Sequence, residues 1–258
     1  MTATLTRPAR LAPAPPLPMA RLTLVELRKL ADTRAGLWLL VTIGLATIGT
    51  SAIMLGWADD SQQTFARLYG FALVPSAALL PVLGILSMTG EWSQRTALTT
   101  FTLVPARSRV IGAKLAAGVL IGLATTAVTA GLSAAANLLG AALGGDGGWH
   151  IAASLVWQSA LIEIIYVLMG LGFGALLLNS PLAIVTYFAL PTLWSALSGV
   201  IKPLHRIAAW LDLDSTSSPL YQPHMTAGEY GRLAVSVSLW VVLPLVLGSI
   251  RILRREVS

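Results

Sequence analysis

Six long apolar runs, parted by short polar connections, set the rhythm of the chain: about 35–57, 68–90, 110–139, 151–178, 181–201 and 233–250. A helix needs about 20 apolar residues to cross roughly 30 Å of hydrocarbon, and each run is close to that or longer. The fourth and fifth are parted only by Asn179 and Ser180 before Pro181. Proline disfavours continuing the same helix, and a single helix of that combined length would overshoot a bilayer. The pattern predicts an all-α membrane protein with six transmembrane helices. Ahead of the first run, "RLTLVELRKLADTR" puts Leu24, Leu27, Leu30 and Ala31 on one helical stripe and Glu26, Lys29 and Asp32 mainly off it. Thr23 and Glu26 have capping-box spacing. The expectation is an amphipathic helix lying flat at the membrane interface, with Arg28, Lys29 and Arg34 near lipid phosphates.

Between the second and third runs lies "EWSQRTALTTFTLVPARSR", Glu91 to Arg109. Ala97, Phe101 and Val104 follow i, i+4, i+7 spacing with Leu98 alongside, Thr99 and Thr102 face the other way, and Pro105 ends the segment. Two amphipathic turns are too short to be stable without packing from elsewhere. Before the last run, Leu204, Ile207, Ala208 and Leu211 form a short amphipathic helix with Trp210 at the interface, and Thr226 with Glu229 make a capping box opening the last span. "GAALGGDGG" reads as a flexible connection.

Composition agrees that lipid is the solvent for much of the chain: 55% of its 258 residues are hydrophobic and only 11% charged, where a soluble domain carries about 25%. The net charge of +6 has a cheaper explanation than nucleic acid. With both termini in the cytoplasm, thirteen Lys and Arg fall inside (Arg7, Arg10, Arg21, Arg28, Lys29, Arg34, Arg95, Arg107, Arg109, Lys114, Arg251, Arg254 and Arg255). Four fall outside, Arg67, Lys202, Arg206 and Arg232, a strong positive-inside bias. The chain thus divides into a disordered Pro- and Ala-rich cytoplasmic tail (1–20), the interface helix (21–34) and a six-helix transmembrane domain (35–258). There is no cysteine, so no disulfide, thiolate nucleophile or cysteine zinc site. His205, His224, Asp212 and Asp214 match no compact ligand spacing, and no metal site is expected.

"EWSQRT", followed by "TTFTLVPARSRVIGAKL", resembles the permeases of ABC-2 type exporters, whose second-to-third connection runs from Glu and an aromatic through a Thr to Pro, a basic pair and a Lys entering the next helix. "ELRKLADTRAGLW", the C-terminal "RILRRE" and six spans with both ends inside are also similar to that family. Arg95 stands where the family usually has Gly before Thr. The resemblance implies a permease that pairs with a second copy as a homodimer and with two copies of a separate ABC ATPase subunit, in a bacterial cell membrane. It also implies that the interface helix (Glu26, Arg28, Lys29) and the segment after the second span (Glu91, Arg95, Thr96, Phe101, Pro105, Arg107, Arg109) rest on the ATPases as coupling elements. No G-x-x-x-x-G-K-[ST] loop occurs in the chain, so ATP and Mg are expected on the partner ATPase and no cofactor on this chain.

Within the bundle, Glu163 stands near the middle of the fourth span, where a charge costs several kcal/mol (about 3 on insertion scales) unless paired, protonated or wetted. It should face the bundle interior and be neutral or hydrogen-bonded to a polar group on another helix. Substrate contact, a structural hydrogen bond and proton coupling are open readings; Tyr166 and Asn137 join it as candidates for the substrate path, although an asparagine at such a place is more often interhelical glue than ligand. Gly118 with Gly122 and Gly170 with Gly174 are small-xxx-small pairs that imply close helix packing. Pro75, Pro81, Pro191 and Pro244 would distort their helices. The scarcity of polar groups favours a hydrophobic or amphipathic cargo. Two other classes stand beside an exporter. An intramembrane enzyme lacks a catalytic pair at depth, while a non-transporting scaffold or sensor subunit of an ABC-like complex has the same sequence requirements.

Overall fold

Hydropathy and helix-ending residues place the elements. In the computed structural model, which describes residues 17–94 and 96–255, all regular structure among the described residues is helical. The α-helices are α1 (Met19–Asp32), α2 (Arg34–Trp57), α3 (Phe65–Ala72), α4 (Val74–Ser93), α5 (Ala97–Leu103), α6 (Arg107–Ala142), α7 (Ala153–Leu177), α8 (Ser180–Val200), α9 (His205–Leu211), α10 (Leu213–Ser217), α11 (Ala227–Val237) and α12 (Leu243–Arg254). Six helical stretches are long and apolar enough to cross a membrane: α2, α3 with α4, α6, α7, α8, and α11 with α12. The chain is a multi-pass membrane protein.

Two spans differ from the sequence expectation in a way proline explains. The second is interrupted at Leu73, and α4 restarts with Pro75 in its first turn, where the missing N–H costs no hydrogen bond. The last runs from Ala227 to Arg254, longer at both ends than expected, with a π-helical turn over Ser238–Val242 just before Pro244. The wider turn absorbs the hydrogen bond that the proline cannot donate. Pro81 and Pro191 lie inside their helices. The break after α7 is made by Leu178 in the left-handed region (φ 52°). Asn179 then caps α8, its side chain accepting from Leu182 N–H at 3.0 Å. At the other end of the bundle, the glycine-rich "GAALGGDGG" is not a free connection. The Asp146 N–H donates to the Asp60 carbonyl (3.0 Å) and the Gly147 N–H to that of Gln63 (3.1 Å), which pins the segment to the turn between α2 and α3.

α7 is the most buried of the spans and α2 and α8 the least. It packs against α4, α12, α6 and α8, and its glycines allow this. A Cβ added at Gly170 would lie 2.2 Å from the Pro81 carbonyl oxygen of α4. At Gly248, on α12, it would lie 2.6 Å from the Leu176 nitrogen. The backbones therefore approach closely where a side chain would hold them apart. The principal apolar core forms along α7, where Ile162, Ile165, Met169 and Phe173 join Tyr187, Leu220 and Trp240.

The amphipathic helix before the first span is present but begins earlier and turns a different face inward. Pro18 precedes its first turn and no side chain caps it, so the Thr23–Glu26 capping box does not form. Leu22, Thr23, Glu26 and Leu30 are buried, whereas Leu24, assigned above to the apolar stripe, is exposed. Glu26 points inward because its charge finds partners there. The expected box before the last span does form: Thr226 accepts from the Glu229 N–H, and the Glu229 carboxylate accepts from the Thr226 N–H at 2.7 Å.

Candidate functional site

α1, α4, α5 and α6 converge at the end of the bundle where the described chain begins and finishes. α1, α4 and α6 each bring a charge that apolar surroundings tolerate only when paired. Lys114 enters from the second turn of α6 and is 3% exposed. Its ammonium donates to Glu26 Oε2 on α1 (2.7 Å) and to the Ser87 carbonyl on α4 (2.9 Å), and lies 3.4 Å from Glu91 Oε1. Lys29 closes the ring with 2.8 Å contacts to Glu26 Oε1 and Glu91 Oε1. Two cations and two carboxylates sum to zero, so the cluster puts no net charge at the membrane boundary, and each buried charge is hydrogen-bonded as burial demands. Burial pulls the Lys29 ammonium down, but the hydrogen bonds and charges of Glu26 and Glu91 outweigh it and hold Lys29 above its ordinary value.

A cavity of about 520 Å³ lies between this ring and α5. Leu22, Leu83, Leu103 and Val104 give it apolar walls, while Lys29, Glu91, Thr99 and Thr100 bring polar groups to its surface. α5 is held by few contacts: the Thr96 N–H before it donates to the Glu91 carbonyl (2.9 Å), and Leu98 and Leu103 are 53% and 75% exposed. Pro105 is exposed just past its end.

The basic pair after Pro105 turns back onto the first and last stretches of the described residues. The Arg107 guanidinium donates to the carbonyls of Ile252 (3.0 Å) and Arg255 (2.5 Å), and Arg109 donates to the Leu17 carbonyl. The Arg255 guanidinium stacks over Trp92 at 5.1 Å. Of the residues expected at a coupling surface, Glu26, Lys29 and Glu91 are therefore brought together inside the chain, Arg107 and Arg109 hold its first and last described stretches, and Arg28 and Thr96 are exposed. Arg95 and the Phe101 side chain lie outside the described residues. Sequence reasoning missed the pairing of Lys114 with Glu26. The signal was available, since a lysine one turn inside an apolar run has to find a carboxylate.

The mid-bundle candidates do not form one site. Glu163 is fully buried and accepts from the Ser76 hydroxyl of α4 at 2.6 Å, the expected hydrogen bond to another helix. Its Oε2 has no partner among the described residues. Tyr166 contacts the Ser217 hydroxyl at 3.4 Å. Asn137 bonds the Gly147 carbonyl at 3.1 Å, so it ties α6 to the glycine-rich connection rather than to another helix. Among the described residues no three His, Asp or Glu side chains are grouped to hold a metal; Asp212 instead caps α10 by accepting from the Ser215 N–H at 2.9 Å.

What the terminal-end arrangement can do is mechanical. It fastens a surface helix and a short exposed helix to the ends of two spans. No family model matches the chain, and no curated protein matches it.

Proposed function

We propose that the chain is the membrane-spanning subunit of an ATP-driven exporter of the ABC-2 type. It works as a homodimer with two copies of a separate ATPase and moves a hydrophobic or amphipathic cargo. Both termini, α1 and α5 face the cytoplasm. ATP and Mg act on the ATPase; its closure presses on α1 and α5, and the spans rearrange between inward- and outward-open states. One observation carries this reading: the Glu26–Lys29–Glu91–Lys114 ring joins α1 to α4 and α6, while α5 leaves Leu98 and Leu103 uncovered beside it. A push on the exposed elements thus has a stiff, charge-paired route into the membrane. Glu163, a buried carboxylate held by Ser76, serves as a polar contact for cargo.

The test is co-purification from the native membrane in mild detergent. A soluble protein bearing a phosphate-binding loop should accompany the chain, and nucleotide hydrolysis by the pair should rise when the two are reconstituted together. Leu103→Glu and Arg28→Glu change only exposed side chains, so they should break the association while leaving the melting temperature of the isolated chain in place. Purification free of any ATPase, or hydrolysis indifferent to both variants, refutes the proposal.

A further inference from the structure

The ring turns one cation and one carboxylate toward the cavity, and that pairing indicates a ligand. An ammonium has three donors, and a carboxylate accepts through two oxygens. Lys114 donates to Glu26 and to the Ser87 carbonyl and forms an ion pair with Glu91, all inside the ring, and each oxygen of Glu26 accepts from one lysine. Lys29 has used two of its three donors, both on carboxylates, and its side chain is 42% exposed. Glu91 uses Oε1 for both lysines, and its Oε2 accepts no hydrogen bond among the described residues. At the cavity edge of the ring, a donor of the half-exposed Lys29 and the Oε2 acceptor of Glu91 therefore stand ready for a ligand. They sit side by side, because Lys29 and Glu91 are themselves 2.8 Å apart, and both line the cavity of about 520 Å³. Ligand pockets commonly fall at roughly 300–1,000 Å³.

A purely anionic headgroup would meet Lys29 but crowd Glu91, and a purely cationic one the reverse. A zwitterion satisfies both. The vacancy on Glu91 is for a hydrogen-bond donor, which a primary ammonium provides and a quaternary one lacks. The remaining walls, Leu22, Val25, Leu83, Leu86, Leu103 and Val104, suit hydrocarbon. The cavity also lies where α1, outside the spans, meets the ends of α4 and α6, the level at which a headgroup joins its tails. We propose that this cavity binds a zwitterionic phospholipid with a primary ammonium, of the phosphatidylethanolamine kind, its phosphate on Lys29 and its ammonium on Glu91. This site does not depend on the exporter reading, since it requires no ATPase.

Native mass spectrometry of the full-length chain, released from detergent with defined lipids, tests it. Dioleoyl-phosphatidylethanolamine should remain bound in preference to the phosphatidylcholine and phosphatidylglycerol of the same tails. Glu91→Gln removes the charge that pairs with the ammonium and should weaken binding about tenfold, the effect of losing one charge-assisted hydrogen bond. Glu91→Gln also disturbs the ring, so Thr100→Phe provides an independent arm. It fills the cavity from α5 without touching a charged residue, and should reduce binding of phosphatidylethanolamine with unchanged melting temperature. Equal retention of the three lipids, or full retention in Thr100→Phe, overturns the proposal. Glycerophosphoethanolamine, the headgroup without tails, should not compete at equal concentration; if it does, the site belongs to a soluble zwitterion and the lipid assignment fails.

Discussion

With 3% of its surface exposed, Lys114 is largely withdrawn from solvent and relies on Glu26 and Glu91 at 2.7 and 3.4 Å. Removing one partner of such a group costs more than the pair contributes, because the remaining charges stay buried and uncompensated. Lys114→Met should therefore destabilise the chain by about 3–5 kcal/mol, read as a lower melting temperature in detergent. Adding Glu26→Met should recover much of that loss, whereas an unchanged melting temperature for the single variant would mean that the ring is not closed in the membrane. Lys29 makes a separate prediction through pH. Its ammonium is held above the ordinary 10.5 by Glu26 and Glu91 against the opposing pull of burial. A raised value in the folded state stabilises it fully below the unfolded value, and that contribution fades as pH rises through the folded one. The gap in melting temperature between the native chain and Lys29→Met should be flat from about pH 6 to 9 and narrow only above about 10.5. A gap that closes near neutrality would contradict the pairing.

At the scale of helices, backbone proximity decides which substitutions are tolerated. Alanine at Gly170 would place its Cβ 2.2 Å from the Pro81 carbonyl oxygen, whereas at Gly131 it would meet nothing within 4 Å. Gly170→Ala should push α7 from α4 and cost about 1–3 kcal/mol, the usual range for overpacking, while Gly131→Ala should leave the melting temperature unchanged or raise it slightly. Equal tolerance at both positions would be inconsistent with this packing. The existence of these helices was legible because each span carries a long apolar run, and the Thr226–Glu229 box because both partners lie in one turn. The start of α1 was not. Thr23 and Glu26 have the same spacing, yet Glu26 pairs with Lys114, 88 positions away, and a buried charge outweighs a local cap. The break at Leu73 was hidden for a related reason: Pro75 permits either a kink or a restart, and the packing around it selects the restart.

For the molecule as a whole, the candidate site shows where sequence reading ends. Glu26, Lys29 and Glu91 were identifiable as a group near one end of the bundle, but their facing each other depends on how α1, α4 and α6 are rotated, which hydropathy does not encode. Arg107 and Arg109 stand in the expected coupling segment, and nothing in a local pattern reveals the distant backbone carbonyls they also hold. The absence of native cysteine makes topology directly measurable. A cysteine replacing Thr102 should react with an impermeant maleimide only from the cytoplasmic side, and one replacing Ser61 only from the opposite side; the reverse pattern would invert the positive-inside assignment. The grip of Arg107 on Ile252 also has a temporal meaning, because 145 positions separate the two. At about 5–20 residues per second, the ribosome releases the acceptor roughly 7–30 s after the guanidinium. Until then the nascent bundle lacks this staple, so α12 must dock into neighbours already embedded, and closure of this end is timed by the emergence of α12 rather than by the first helix to insert.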